Sequence, residues 1–159
     1  MKRMIAATAL TCVALFFITS CSSTRNAAGT SVGRGKITGT WTVSTVNYEN
    51  LLENAVQSAF NQAPPRDFVG STWKLTNSGN GMYTLTNGTS QSIYWSLYEQ
   101  SGMRPMLQFK KVYQGEKPKD IDEAYRLEIG TADGNNLVLK IPVPYGGKTG
   151  YVVFTMVKQ

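Results

Sequence analysis

From Ile37 onward, apolar and polar side chains alternate in short stretches that are interrupted by turn residues every eight to fifteen positions. Alternation with a period of two places one set of side chains on one face of a strand, so the pattern predicts antiparallel sheet. Eight such segments can be read. The first spans Ile37 to Tyr48, with Trp41, Val43 and Thr45 on a shared face; the second spans Ser71 to Thr76, with Trp73 and Leu75 together. Asn77-Ser78-Gly79-Asn80-Gly81 supplies residues that tolerate the positive φ of a hairpin turn, Met82 to Thr86 follows as the third segment, and Asn87-Gly88 turns again. Ser92 to Tyr98 sets Ile93, Trp95 and Leu97 against Tyr94, Ser96 and Tyr98 on the other face. In Met106 to Tyr113, Leu107 and Phe109 alternate with Gln108 and Lys110, and in Ala124 to Gly130, Tyr125, Leu127 and Ile129 oppose Arg126 and Glu128. Asp133-Gly134-Asn135-Asn136 leads into Leu137 to Ile141, where Pro142 and Pro144 are expected to stop pairing, and Tyr151 to Val157 closes the series.

One stretch reads differently. Between Glu49 and Gln62, Leu51, Leu52, Ala55, Val56, Ala59 and Phe60 recur at helical spacing, with Asn47 and Asn50 as candidate caps and Pro64-Pro65 as a stop. The expectation is a short amphipathic helix that covers one end of a sheet or barrel. Eight antiparallel strands in sequence remove their exposed edges by closing on themselves, so the fold class is all-β, an eight-stranded antiparallel barrel with one short helix after the first strand. A barrel of this size holds packed side chains or one small ligand.

The first twenty residues belong to another pattern. Lys2 and Arg3 precede an uncharged run, Met4 to Ile18, that is too short to span a bilayer and ends in small residues, which is the layout of a cleaved secretion signal. Ile18-Thr19-Ser20-Cys21 is similar to the lipobox of bacterial lipoproteins, in which the cysteine is acylated and becomes the new N-terminus. Cys21 is therefore the expected lipidation site, palmitate-like chains the anchor, and the membrane the first partner. Residues 21–36 read as a flexible tether and residues 37–159 as one domain. No acidic cluster follows Cys21, which favours the periplasmic face of the outer membrane within the cell envelope.

Composition narrows the chemistry. The chain has no histidine and two cysteines, of which Cys12 leaves with the signal. Imidazole-based zinc sites, acid-base catalysis and Ser-His-Asp triads are excluded, as are free thiol nucleophiles, so the expected protein is not an enzyme and holds no cofactor. Asp120-Ile121-Asp122-Glu123 lacks the glycine turn of a calcium loop, and no metal is expected there. The net charge of +6 is spread along the chain, and its densest basic stretch, Lys110, Lys111, Lys117 and Lys119, lies beside that acidic cluster. Nucleic acid is not an expected partner.

An ordered series of motifs resembles the lipocalin-like lipoproteins of Bacteroidetes. It comprises Gly39-Thr40-Trp41, Gly70-Ser71-Thr72-Trp73, Asn80-Gly81-Met82-Tyr83, Ile93-Tyr94-Trp95-Ser96, Phe109-Lys110-Lys111, Tyr125-Arg126-Leu127, and Pro142 through Gly147-Lys148-Thr149-Gly150-Tyr151. The resemblance covers nearly all of the domain and implies a calycin-type barrel. It further implies that Gly39, Trp41 and Trp73 are structural residues toward the closed base, with Lys158 as the basic side chain stacked on Trp41. It implies more weakly the capture of a small apolar molecule.

Two functions from different classes follow. In the first, a membrane-tethered barrel binds a small apolar or lipid-like molecule, with Tyr83, Tyr94, Trp95, Tyr98, Phe109 and Tyr125 as the candidate pocket; the plainer reading of each aromatic is core packing. In the second, a filled barrel serves as a non-enzymatic scaffold that docks on an outer-membrane or cell-wall protein through exposed aromatics, around Tyr113 or the Pro142-Val143-Pro144-Tyr145 loop.

Overall fold

The structure, a computed structural model, describes residues 31–159; the expected signal, Cys21 and the first part of the expected tether lie outside the described residues. Eight strands in sequence order form a closed antiparallel barrel: β1 (Gly39–Glu49), β2 (Thr72–Leu75), β3 (Asn80–Thr84), β4 (Ser90–Tyr98), β5 (Met106–Lys111), β6 (Tyr125–Ala132), β7 (Asn136–Tyr145) and β8 (Lys148–Lys158). Closure comes from β1 pairing with both β2 and β8. The inward set along β4, Gln91, Ile93 and Trp95, is buried, while Ser90, Ser92 and Tyr94 between them face out.

Three local expectations are corrected. Trp41 and Val43 point inward, but Thr45 is exposed, because a bulge between Val43 and Thr45 adds one residue and reverses the alternation. From there Val46 and Tyr48 take the inner face and pack on the core. The prolines do not stop β7: Pro142 pairs with Tyr151 and Pro144 with Thr149. The register with β6 ends at Lys140, so the edge on which two alternate prolines lack N–H groups has no ladder partner to lose.

The third correction concerns the expected helix. Glu49 is the last residue of β1, Asn50 adopts φ 49°, and only a single 3-10 turn, Glu53–Ala55, forms in the stretch. A helix would keep all six apolar side chains on one stripe. Here Ala59 and Phe60 are buried in the barrel while Leu52 is 61% exposed. Burial of the Phe60 ring requires the chain to double back at Ala59–Ala63, and that tertiary contact overrides a helix made weak by Asn and Ser residues.

One end of the barrel is covered from outside by residues just before β1. A 3-10 turn, Arg34–Lys36, crosses it, so the ordered domain begins ahead of residue 37 and takes in part of the expected tether. The Arg34 guanidinium lies 4.0 Å from the Trp95 ring centroid, and its Nε donates to the Asn77 carbonyl at 2.9 Å. Trp41 Nε1 donates to the Ile37 carbonyl at 2.7 Å, and both residues are fully buried.

Candidate functional site

The opposite end of the barrel is covered by the long connection between β1 and β2. Its innermost part is a two-residue turn, Ala59 to Gln62, in which Ala59 N–H donates to the Ala63 carbonyl at 2.8 Å and Gln62 N–H to the Ala59 carbonyl at 3.0 Å. The two central residues, Phe60 and Asn61, have φ of 56° and 49°. Both in the left-handed region is the signature of a type I′ turn, which ordinarily selects Asn-Gly. A phenylalanine there is a strained choice, costing on the order of 1–3 kcal/mol.

The strain is offset by what the ring reaches. Phe60 sits at the middle of an aromatic cluster, with centroids of Phe109 at 5.0 Å, Phe68 at 5.4 Å, Tyr125 at 5.6 Å, Phe154 at 5.8 Å and Trp73 at 5.9 Å. Four of the five contacts are edge-on, the geometry that the quadrupole of an aromatic ring favours. Phe68, from the 3-10 turn Pro65–Phe68, enters beside it and is fully buried. Together they form a plug of the protein's own side chains in this end of the barrel.

Polar groups surround the plug. Lys111, the last residue of β5, follows Leu107 and Phe109 on the inner face and is 8% exposed. Its Nζ donates to the carbonyls of Phe60 at 3.2 Å and Asn61 at 3.5 Å. The Tyr83 hydroxyl donates to Gln62 Oε1 at 3.3 Å, while the Tyr83 ring stacks on Trp73 at 4.8 Å. At the rim, Glu123 Oε1 accepts from Tyr125 Oη at 2.8 Å and from Asn61 Nδ2 at 3.1 Å. Burial pushes the Tyr83 hydroxyl far above the usual tyrosine range. Burial first, and then the Glu123 carboxylate beside it, push Tyr125 up to about 12.

Of the residues expected to line a pocket, Tyr83, Phe109 and Tyr125 meet at this end. Trp95 is buried inside but faces the sealed base, where its Nε1 donates to the Thr76 carbonyl at 2.9 Å. Tyr94 and Tyr98 lie on the outer face, as alternation along β4 requires. Tyr94 lines an outer groove of about 480 Å³ with Ser96, Gln108, Lys110, Pro118 and Lys119, and Tyr98 carries the Arg126 guanidinium at 4.0 Å from its centroid. Among the expected base residues, Gly39 lies at the sealed end, Trp41 and Trp73 face each other across the β1–β2 ladder, and the Trp73 ring contacts Phe60, Phe68 and Tyr83 of the plug. Tyr113 and Tyr145 are exposed, at 56% and 38%.

Phe60, Phe68, Gln62 and Lys111 were not among the expected site residues. Lys111 was within reach of sequence reasoning, since the inner alternation Leu107, Phe109 continues to it. Among the described residues there is no cluster of three or more potential metal ligands and no helix long and apolar enough to cross a membrane. No protein-family model matches the chain, and no curated protein is similar to it at a significant level.

Proposed function

We propose that the protein is an envelope lipoprotein, anchored through Cys21, whose lipocalin-like barrel binds a small apolar or lipid-like molecule in the space that Phe60 fills. The reading is of a non-enzymatic binding module captured in its closed state. The observation that carries it is the plug itself: a bulky side chain on left-handed backbone, inserted from a connection rather than from a strand. Withdrawing the Phe60 ring forfeits about 1.5–3 kcal/mol of apolar burial, and part of that cost is offset by relief of backbone strain. An apolar ligand that takes the same place restores the remaining contacts with Trp73, Phe109, Tyr125 and Phe154. Tethering at a bilayer suits a ligand that travels to, from or along that membrane.

Native mass spectrometry of the full chain, extracted gently from membranes, tests this reading. A co-purified organic molecule, displaced on denaturation, is the expected result. A bare chain that also fails to take up added lauric acid or dodecanol overturns it. The second reading, a scaffold whose barrel is permanently filled, is favoured by the completeness of the aromatic cluster and by the exposure of Tyr113 and Tyr145. It predicts no uptake of any such molecule and reproducible crosslinking of Tyr113 or Tyr145 to one envelope protein.

A further inference from the structure

We propose that the molecule bound at the plugged end carries a carboxylate, received by Lys111, on an apolar body that replaces the Phe60 ring. The inference rests on the capture reading above and names its ligand class. A buried ammonium is costly unless it is neutralised or well hydrogen-bonded. Lys111 is more than nine-tenths buried, yet its Nζ donates to two neutral carbonyls, of Phe60 and Asn61, and otherwise meets the neutral Tyr113 ring, whose centroid is 5.9 Å away. The ion pairs among the described residues, Arg66 with Asp67 and Lys140 with Glu49, do not include it. Glu123, the carboxylate nearest in the hydrogen-bond network, is held at the rim by Tyr125 and Asn61.

Both acceptors of Lys111 belong to the plug turn. Movement of Phe60 out of the barrel therefore takes away the ring and the two carbonyls in one step. The same movement removes Gln62, the acceptor of the Tyr83 hydroxyl. What is left is an apolar space walled by Trp73, Phe109 and Phe154, with an ammonium and a phenolic hydroxyl facing into it. Those two donors are the complement of a carboxylate, and the space is the complement of a hydrocarbon chain. A neutral alcohol of the same length offers one oxygen and no charge, and leaves the ammonium buried without a counter-charge. A fatty acid or similar monocarboxylate is the class that satisfies both.

The test compares lauric acid with dodecanol, incubated at equal concentration with the full chain in a sugar-headgroup detergent and read by native mass spectrometry. Lauric acid is expected to bind about tenfold more tightly than dodecanol. Lys111→Met is expected to lower lauric acid binding to the dodecanol level while leaving dodecanol binding unchanged, and Lys111→Arg to retain the preference for the acid. Equal binding of the two probes to the unaltered chain overturns the proposal but leaves the capture reading standing, and so does a Lys111→Met variant that still prefers the acid. Binding of neither probe overturns both. Should Lys111→Met fail to fold, the ratio measured on the unaltered chain decides alone.

Discussion

The ammonium of Lys158 lies 5.6 Å from the centroid of the Trp41 ring, and the stem of the same side chain runs directly over Gly39. A Cβ at position 39 would come within 2.7 Å of Lys158 Cε, on a backbone whose φ of 149° already disfavours any side chain. Glycine, tryptophan and lysine at the base are thus one arrangement, in which the missing side chain makes room for the cation that covers the ring.

Gly39→Ala is therefore expected to destabilise the barrel by about 1–3 kcal/mol, because it combines backbone strain with displacement of Lys158. Lys158→Met, which keeps an apolar stem but removes the cation, is expected to cost only about 0.5–1 kcal/mol. Denaturant unfolding followed by tryptophan fluorescence measures both. A Gly39→Ala variant as stable as the unaltered chain would sink the account of the base.

Alternation by twos made the barrel legible, and it did so wherever a strand buries one face and wets the other, as β4 and β6 do. It lost its way where a single residue is inserted. No side chain announces the bulge at Ser44, and beyond it Thr45 and Val46 exchange faces. The prolines of β7 misled for the opposite reason: the rule against proline in strands holds for a strand paired on both sides, and how far β6 extends is a tertiary fact. At the candidate site, Tyr83, Phe109 and Tyr125 were readable as inward aromatics. The plug was not, because helical spacing of apolar residues and a chain doubling back to bury one ring produce similar sequences in so short a segment.

Substitution of Cys21 tests the proposed envelope anchoring without reference to the barrel. Cys21→Ser is expected to abolish incorporation of a labelled palmitate analogue and to shift the protein from the membrane to the soluble fraction. Undiminished labelling in that variant would show that Cys21 is not the acylated residue.

Asp133 makes the turn between β6 and β7 sensitive to acid. Its carboxylate accepts from the Asn136 side chain at 3.0 Å and from the backbone N–H groups of Asn135 and Asn136 at 2.7 and 2.6 Å, and these bonds hold it down at about 2 against an ordinary 3.8. Because the folded value is the lower one, the stabilisation is fully present above pH about 4 and is lost as pH falls through about 2. Unfolding measured across that window is expected to show a decline that Asp133→Asn lacks. Parallel pH profiles for the two chains would refute the role of this carboxylate.

Tyr125 provides a spectroscopic reporter of the plugged end. Its value is raised to about 12, so its contribution to stability is complete below pH 10 and disappears as pH rises through about 12. Burial is the larger cause and the Glu123 hydrogen bond the next. Glu123→Gln is expected to lower the phenol's titration midpoint, seen by ultraviolet absorbance, without returning it to the ordinary value of 10. A midpoint unmoved by that substitution would mean that Glu123 does not reach the hydroxyl in solution.

The two plug rings distinguish a strained insertion from ordinary core. Phe60 and Phe68 are similarly buried, at 5% and 0%, and truncating either removes comparable apolar contact. Their backbones differ: Phe60 stands at φ 56°, where glycine is at ease, and Phe68 ends a 3-10 turn, where glycine has only added freedom to lose. Phe68→Gly therefore combines loss of the ring with an added entropic cost, whereas Phe60→Gly loses the ring but relieves about 1–3 kcal/mol of strain. Phe60→Gly is expected to be the less destabilising of the two by at least about 1 kcal/mol in denaturant unfolding. It is also expected to open the plugged end of the barrel, so that iodide quenches the Trp73 fluorescence that Phe60 otherwise shields. If the two variants are equally unstable, the Phe60 turn carries no releasable strain, and the barrel has no built-in means of exchanging its own ring for a ligand.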